Sequence, residues 1–126
     1  MIEIKTNDGK CGSGFDVLHS FCAWKLAFIS FAEQYGSLKA LKRHTETDEA
    51  FLLIKGTATL FYCDEGEKTN KTSLEKEKIY VVKKSTWHHL TVSRDALIFA
   101  IENSDTSKEN TEIKLLNEKE IKAVTE

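Results

Sequence analysis

The 126-residue sequence contains no proline, one methionine, two arginines and three cysteines. Without proline, its turns fall to Gly, Asn, Asp and Ser. Cys11, Cys22 and Cys63 are odd in number and include no CxxC pair. That argues against a disulfide framework and against a cysteine-type zinc site, and it predicts a reducing, cytoplasmic setting. Long apolar runs are missing as well. The longest uncharged apolar-rich stretch, residues 26–32, falls far short of the roughly 20 residues that cross a bilayer. No basic segment followed by an apolar one opens the chain, so neither a secretory signal nor a membrane partner is expected. Charge of one sign is also lacking. Eighteen basic and 20 acidic residues are intermixed, for a net charge of -2, and nucleic-acid binding usually needs a basic stripe.

The 40% of hydrophobic residues and 30% of charged ones suit one soluble domain over residues 1–126, with a single core. The middle of the chain alternates like strands at residues 49–55, 57–63, 78–82, 87–93 and 96–102, with polar breaks between them. Gly56 marks a tight turn between the first two. Residues 24–32 are aromatic and β-branched enough to favour a strand over a helix. Loops are expected at residues 10–14, 64–71 and 103–112, and Asn117 can cap a short helix over residues 118–124. Strands recurring at this spacing imply an all-β sandwich or barrel, not βαβ units. Phe28, Phe31, Phe51, Phe61 and Phe99 are expected in the core, and Cys63 is read as a small buried hydrophobe.

Chemistry concentrates in two places. His44, Glu46, Asp48 and Glu49 fall within six positions, and His88 and His89 follow Trp87 some 40 residues later. Imidazole nitrogen and carboxylate oxygen together suit Zn, Mn, Fe or Ni. Neighbours on a strand point to opposite faces, so only one of the two adjacent histidines can face the site, and His89 is expected to face outward or an interface. Thr47 and Asp48 read as residues that shape the entry to the following strand.

These spacings resemble the cupin superfamily. Its first motif reads G, five residues, HxH, three or four residues, E, six residues, G. Here His44 matches the second histidine, four residues separate it from Glu49, and six more lead to Gly56. The second motif reads G, five residues, PxG, two residues, H, and the stretch 82–88 places His88 on the motif histidine. The resemblance covers about residues 38 to 102, and the strings RHTETDEAFLLIKG and YVVKKSTWHH look like small single-domain cupins of unassigned activity. It implies a jelly-roll β-barrel with His44, Glu49 and His88 as metal ligands converging inside it, and a divalent transition metal, Zn, Mn, Fe or Ni, as cofactor. Glu49 and Glu46 are the candidate proton-moving carboxylates, with Glu46 also a possible fourth oxygen ligand. Lys42, Tyr80 and Trp87 are the candidate pocket wall for a small-molecule ligand.

The sequence departs from the motifs at five positions, one of them Val92, where the second motif ends in an asparagine separated from its histidine by three residues. Lys42 stands where the first motif histidine would be, Lys83 at the proline, and Glu77 and Ser85 at glycines. Two readings therefore stand side by side. One is a metal-dependent enzyme acting on a small polar metabolite, a sugar or organic acid. The other is a non-catalytic binding or sensor module, which the Lys42 cation favours. Small cupins commonly pair, and the apolar run 21–31 is available to a second copy, so a homodimer is expected.

Overall fold

The computed structural model describes residues 1–7 and 14–126. Of the glycine loop expected at residues 10–14, only Gly14 falls among them, and Cys11 lies outside. The described residues form ten strands and one α-helix: β1 (Phe15–Phe21), β2 (Trp24–Ser30), β3 (Ala40–His44), β4 (Glu49–Lys55), β5 (Ala58–Cys63), β6 (Asn70–Ser73), β7 (Ile79–Val82), β8 (Trp87–Val92), β9 (Leu97–Asn103), β10 (Thr111–Leu115) and α1 (Glu118–Thr125). Two five-stranded antiparallel sheets result, ordered β1-β2-β9-β4-β7 and β10-β3-β8-β5-β6. The expected jelly-roll architecture is present, but the strand ladders do not close into one continuous barrel. The expected loops also shrink, because β6 and β10 occupy part of them.

Period-two alternation decides what each strand buries. Phe51 and Leu53 on β4, Ile98 and Ala100 on β9, and Leu90 and Val92 on β8 fill the space between the sheets, where Ile98 and Ala100 are fully buried. A second cluster of Leu38, Leu41, Phe61, Cys63, Trp87 and Val124 forms where α1 covers the other sheet. Cys63 is buried there, as its strand position suggested. The helix begins where its cap predicts: the Asn117 side chain accepts a hydrogen bond from the Glu120 backbone N–H at 2.8 Å. Phe28 and Phe99, expected in the core, instead meet edge to face at 6.5 Å and are only half-buried. Their inward neighbours Ala27, Ile29, Ile98 and Ala100 take the core positions, so alternation turns both rings to the outer face of the first sheet. Ile79 and Val81 are 70% and 53% exposed.

Three motif positions keep a glycine-like backbone, two of them without glycine. Gly56 has φ +76°, and a Cβ there would lie 2.7 Å from Ala96 Cα and from Ser93 Oγ, so the turn between β4 and β5 requires glycine. Glu77 and Ser85 hold φ of +66° and +67°. A left-handed conformation costs a non-glycine residue about 1–2 kcal/mol. The chain therefore preserves the backbone path into and out of β7 at a local cost.

Candidate metal centre

The inward row of each central strand ends in a polar residue at the same end of the sandwich. On β4 the row is Glu49, Phe51, Leu53; on β9 it is Ile98, Ala100, Glu102; on β8 it is His88, Leu90, Val92. Cross-strand register then places their partners. Lys42 on β3 pairs with His88, Thr111 on β10 pairs with His44, and Lys25 on β2 pairs with Glu102. Among the described residues, Lys42↔His88 is the one register pair between β3 and β8. The loop before β4 is pinned from outside. Asp48 accepts from the Lys84 backbone N–H and from Lys83 Nζ, both at 2.8 Å, and the Asn103 backbone N–H donates to Thr47 Oγ1 at 3.1 Å. Thr47 and Asp48 thus shape the strand entry, as read from the sequence.

His44, Glu49 and His88 come together. His44 Nε2 and His88 Nε2 each lie 3.2 Å from Glu49 Oε1, and the three ligand atoms lie within 4.8 Å of one another. Glu49 and His88 are only 5% and 6% exposed. The far ring nitrogens are also held: His44 Nδ1 is 2.8 Å from Thr111 Oγ1, and His88 Nδ1 is 3.0 Å from the Thr86 carbonyl. A carbonyl only accepts, so His88 Nδ1 carries the proton in that bond. The Nε2 lone pair of a neutral His88 ring then faces a carboxylate oxygen. Two acceptors at 3.2 Å require a proton or a cation between them. A backbone carbonyl on the remote nitrogen is also the usual way a metal-binding imidazole is oriented. The donor set therefore fits a transition-metal ion.

Burial pushes the Glu49 carboxyl up, but hydrogen bonds and charge from His44 and His88 outweigh it and bring it down to about 2. Glu49 is ionised throughout the neutral range. Glu102 moves the other way. Burial first, then the Glu49 charge, raise its carboxyl to about 7. Neighbouring carboxyls driven apart in this way are a mark of a functional site.

The cluster opens into a cavity of about 1060 Å³, whose wall includes Lys25, Lys39, Lys42, Tyr35, His89 and Lys108. Lys42 is part of this wall. Trp87 and Tyr80 are not. Alternation turns Trp87 away from His88 and into the cluster under α1, where its Nε1 donates to Glu65 at 2.9 Å and Arg43 stacks on its ring. Tyr80 packs against the core, and its hydroxyl accepts from the Glu75 backbone N–H. Glu46 is exposed and borders a separate, smaller recess, so it does not reach the cluster. His89 faces away from Glu49 but is not outward. The turn Glu33–Tyr35 folds over it, Tyr35 stacks on its ring at 6.3 Å, and burial lowers its pKa.

The residue that sequence reasoning missed is Glu102. It lies beside the cluster, with Oε2 3.7 Å from His44 Nε2. Its signal was a charge at an inward position of an otherwise apolar strand.

The two sheets superpose on known proteins at low identity. An RmlC-like cupin family protein with a double-stranded β-helix fold, from Methanocaldococcus jannaschii, aligns with TM-score 0.58 and 15% identity over 82% of this chain and 92% of that one. The chain has the cupin fold. A cupin-2 domain containing protein from Shewanella frigidimarina aligns with TM-score 0.55 and 19% identity, covering 75% and 83% of the two chains. TDP-fucose-3,4-ketoisomerase from Campylobacter jejuni aligns with TM-score 0.55 and 15% identity, over 69% of this chain and 64% of that one. No protein-family model and no curated protein matches the sequence. The cupin fold thus carries, on this chain, a His-Glu-His cluster at the base of a lysine-rich cavity. No helix among the described residues is long and apolar enough to cross a membrane.

Proposed function

We propose that this protein is a metal-dependent cupin acting on a small polar metabolite, a sugar or organic acid. The observation that carries this is the convergence of His44 Nε2 and His88 Nε2, each 3.2 Å from Glu49 Oε1, at the bottom of an open cavity. A bound transition metal would supply Lewis acidity, polarising a carbonyl or hydroxyl of the substrate. The chain's own residues do the rest. Thr86 and Thr111 fix the imidazole orientations, Glu49 stays ionised, and Lys42 and Lys39 offer cations to a carboxylate or to sugar hydroxyls. A ketoisomerase of a nucleotide sugar among the proteins of this fold agrees with sugar chemistry in such a cavity. The test is metal analysis of protein purified without a histidine tag. Near-stoichiometric Zn, Mn, Fe or Ni is expected, and metal at background would overturn the reading.

The second reading, a binding or sensor module without catalysis, is favoured by Lys42. Its ammonium lines the same cavity and occupies the sequence position of a motif ligand, where it weakens a cation site. Small-molecule binding without metal uptake would select it.

The assembly we propose is a homodimer. Trp24, Phe28, Phe99, Ile101 and Val81 make an apolar outer face on the first sheet, with no charged residue among them, and such a face is self-complementary under twofold symmetry. A monomeric mass by light scattering at micromolar concentration would overturn this.

A further inference from the structure

We propose that Glu102 is a fourth protein ligand to the ion that His44, Glu49 and His88 hold, so that the centre has two imidazoles and two carboxylates. This rests on the metal reading above. Glu102 is only 8% exposed, and its two oxygens are treated differently. Oε1 faces Lys25 Nζ at 3.5 Å. Oε2 has no hydrogen-bond partner among the described residues and points at His44 Nε2, 3.7 Å away. A buried carboxylate oxygen left without a donor is costly, and here it is aimed into a ligand cluster. The approach of Oε2 to His44 Nε2 is slightly longer than the separation of two ligands sharing an ion. Donors about 2.1 Å from a metal at tetrahedral or octahedral angles lie roughly 3.0–3.5 Å apart. His44, Glu49 and His88 already lie within 4.8 Å of one another, and Glu102 Oε2, 3.7 Å from His44 Nε2, joins them by a side-chain movement when the ion binds.

The register supports this from the backbone. Glu102 lies one position beyond the Ala50↔Ile101 pair, beside Glu49 on the adjacent strand. Lys25 holds the other oxygen, and its ammonium is itself fixed by the Thr106 carbonyl at 3.1 Å. Lys25 thus fixes the rotation of the carboxylate and leaves Oε2 free. Lys42, at the position of the missing motif histidine, supplies no lone pair while protonated. Glu102 supplies one from a different strand.

The test is the crystal structure of the zinc-loaded full-length protein, together with Zn²⁺ affinity by chelator competition. Glu102 Oε2 is expected in the coordination sphere, at about 2.0–2.2 Å. Glu102→Gln is expected to bind Zn²⁺ about 10–100-fold more weakly. It should also change the visible spectrum of the Co²⁺-substituted protein. Glu46→Gln removes an exposed carboxylate outside the cluster and should bind Zn²⁺ as tightly as the parent. Zinc bound with Oε2 beyond 3 Å, an unchanged Co²⁺ spectrum in Glu102→Gln, or equal affinity losses in the two variants would each overturn the assignment while leaving the three-ligand site standing. A parent protein that takes up no metal would overturn both.

Discussion

His88→Ala protein is expected to emerge from purification with metal at background, while His89→Ala keeps the content of the parent. The two histidines are adjacent, so composition, length and local β propensity barely change between the variants. What differs is the face. His88 sits 3.2 Å from Glu49, and His89 stacks on Tyr35. Removing one of two imidazoles from a site that also carries a Lys42 cation takes away a donor that water replaces poorly. Equal loss in both variants, measured by elemental analysis, would place the wrong histidine in the site.

The second large effect is on stability without metal. Glu102 has its carboxyl raised to about 7 in the fold, against about 4.3 in an unfolded chain. A raised carboxyl leaves stability intact below the unfolded value, and stability is lost as pH rises through the folded one. Burial dominates the shift, and the charge of Glu49 adds to it. Glu102→Gln has nothing to ionise at this position. Between pH 5 and pH 8 the metal-free variant should therefore gain on the metal-free parent by about 2 kcal/mol. Urea melts at the two pH values measure this directly. A difference that stays constant with pH would mean that Glu102 ionises in the fold as it does in water. If the variant also loses zinc affinity, the carboxylate destabilises the empty fold and serves the bound ion, a common trade at functional sites.

Much of the centre was readable in advance because it depends on spacing. The interval from His44 through Glu49 to Gly56 spans the end of β3, one turn and the whole of β4, so a match in spacing is a match in geometry. His88 followed from the second motif. Alternation could also have excluded Trp87: once His88 faces inward, its neighbour cannot. Glu102 was missed because attention went to the acidic string before β4, where Glu46 and Asp48 are close in sequence but point elsewhere. The unforeseen strands β3, β6 and β10 contain ALKRH, NKTS and TEIKL. Such short polar segments become strands through the partner they pair with, not through their own propensity. The outward Phe28 and Phe99 have the opposite difficulty. Both faces of β2 and β9 are apolar, so hydrophobicity alone does not say which one is the core.

The sparse pairing between β3 and β8 gives the centre a mechanical role. A seam joined at Lys42 and His88 and, next to it, by the Ser85 N–H donating to the His44 carbonyl at 2.7 Å parts at lower free energy than a fully laddered pair, and segments that open this way exchange their amide protons first. His44 lies on one side of the seam, His88 lies on the other, and Glu49 reaches across from the opposite sheet. Sharing an ion among them would stitch three strands across this seam. Amide exchange along β3 then becomes a gauge of occupancy, slow when the stitch is in place and fast when it is removed.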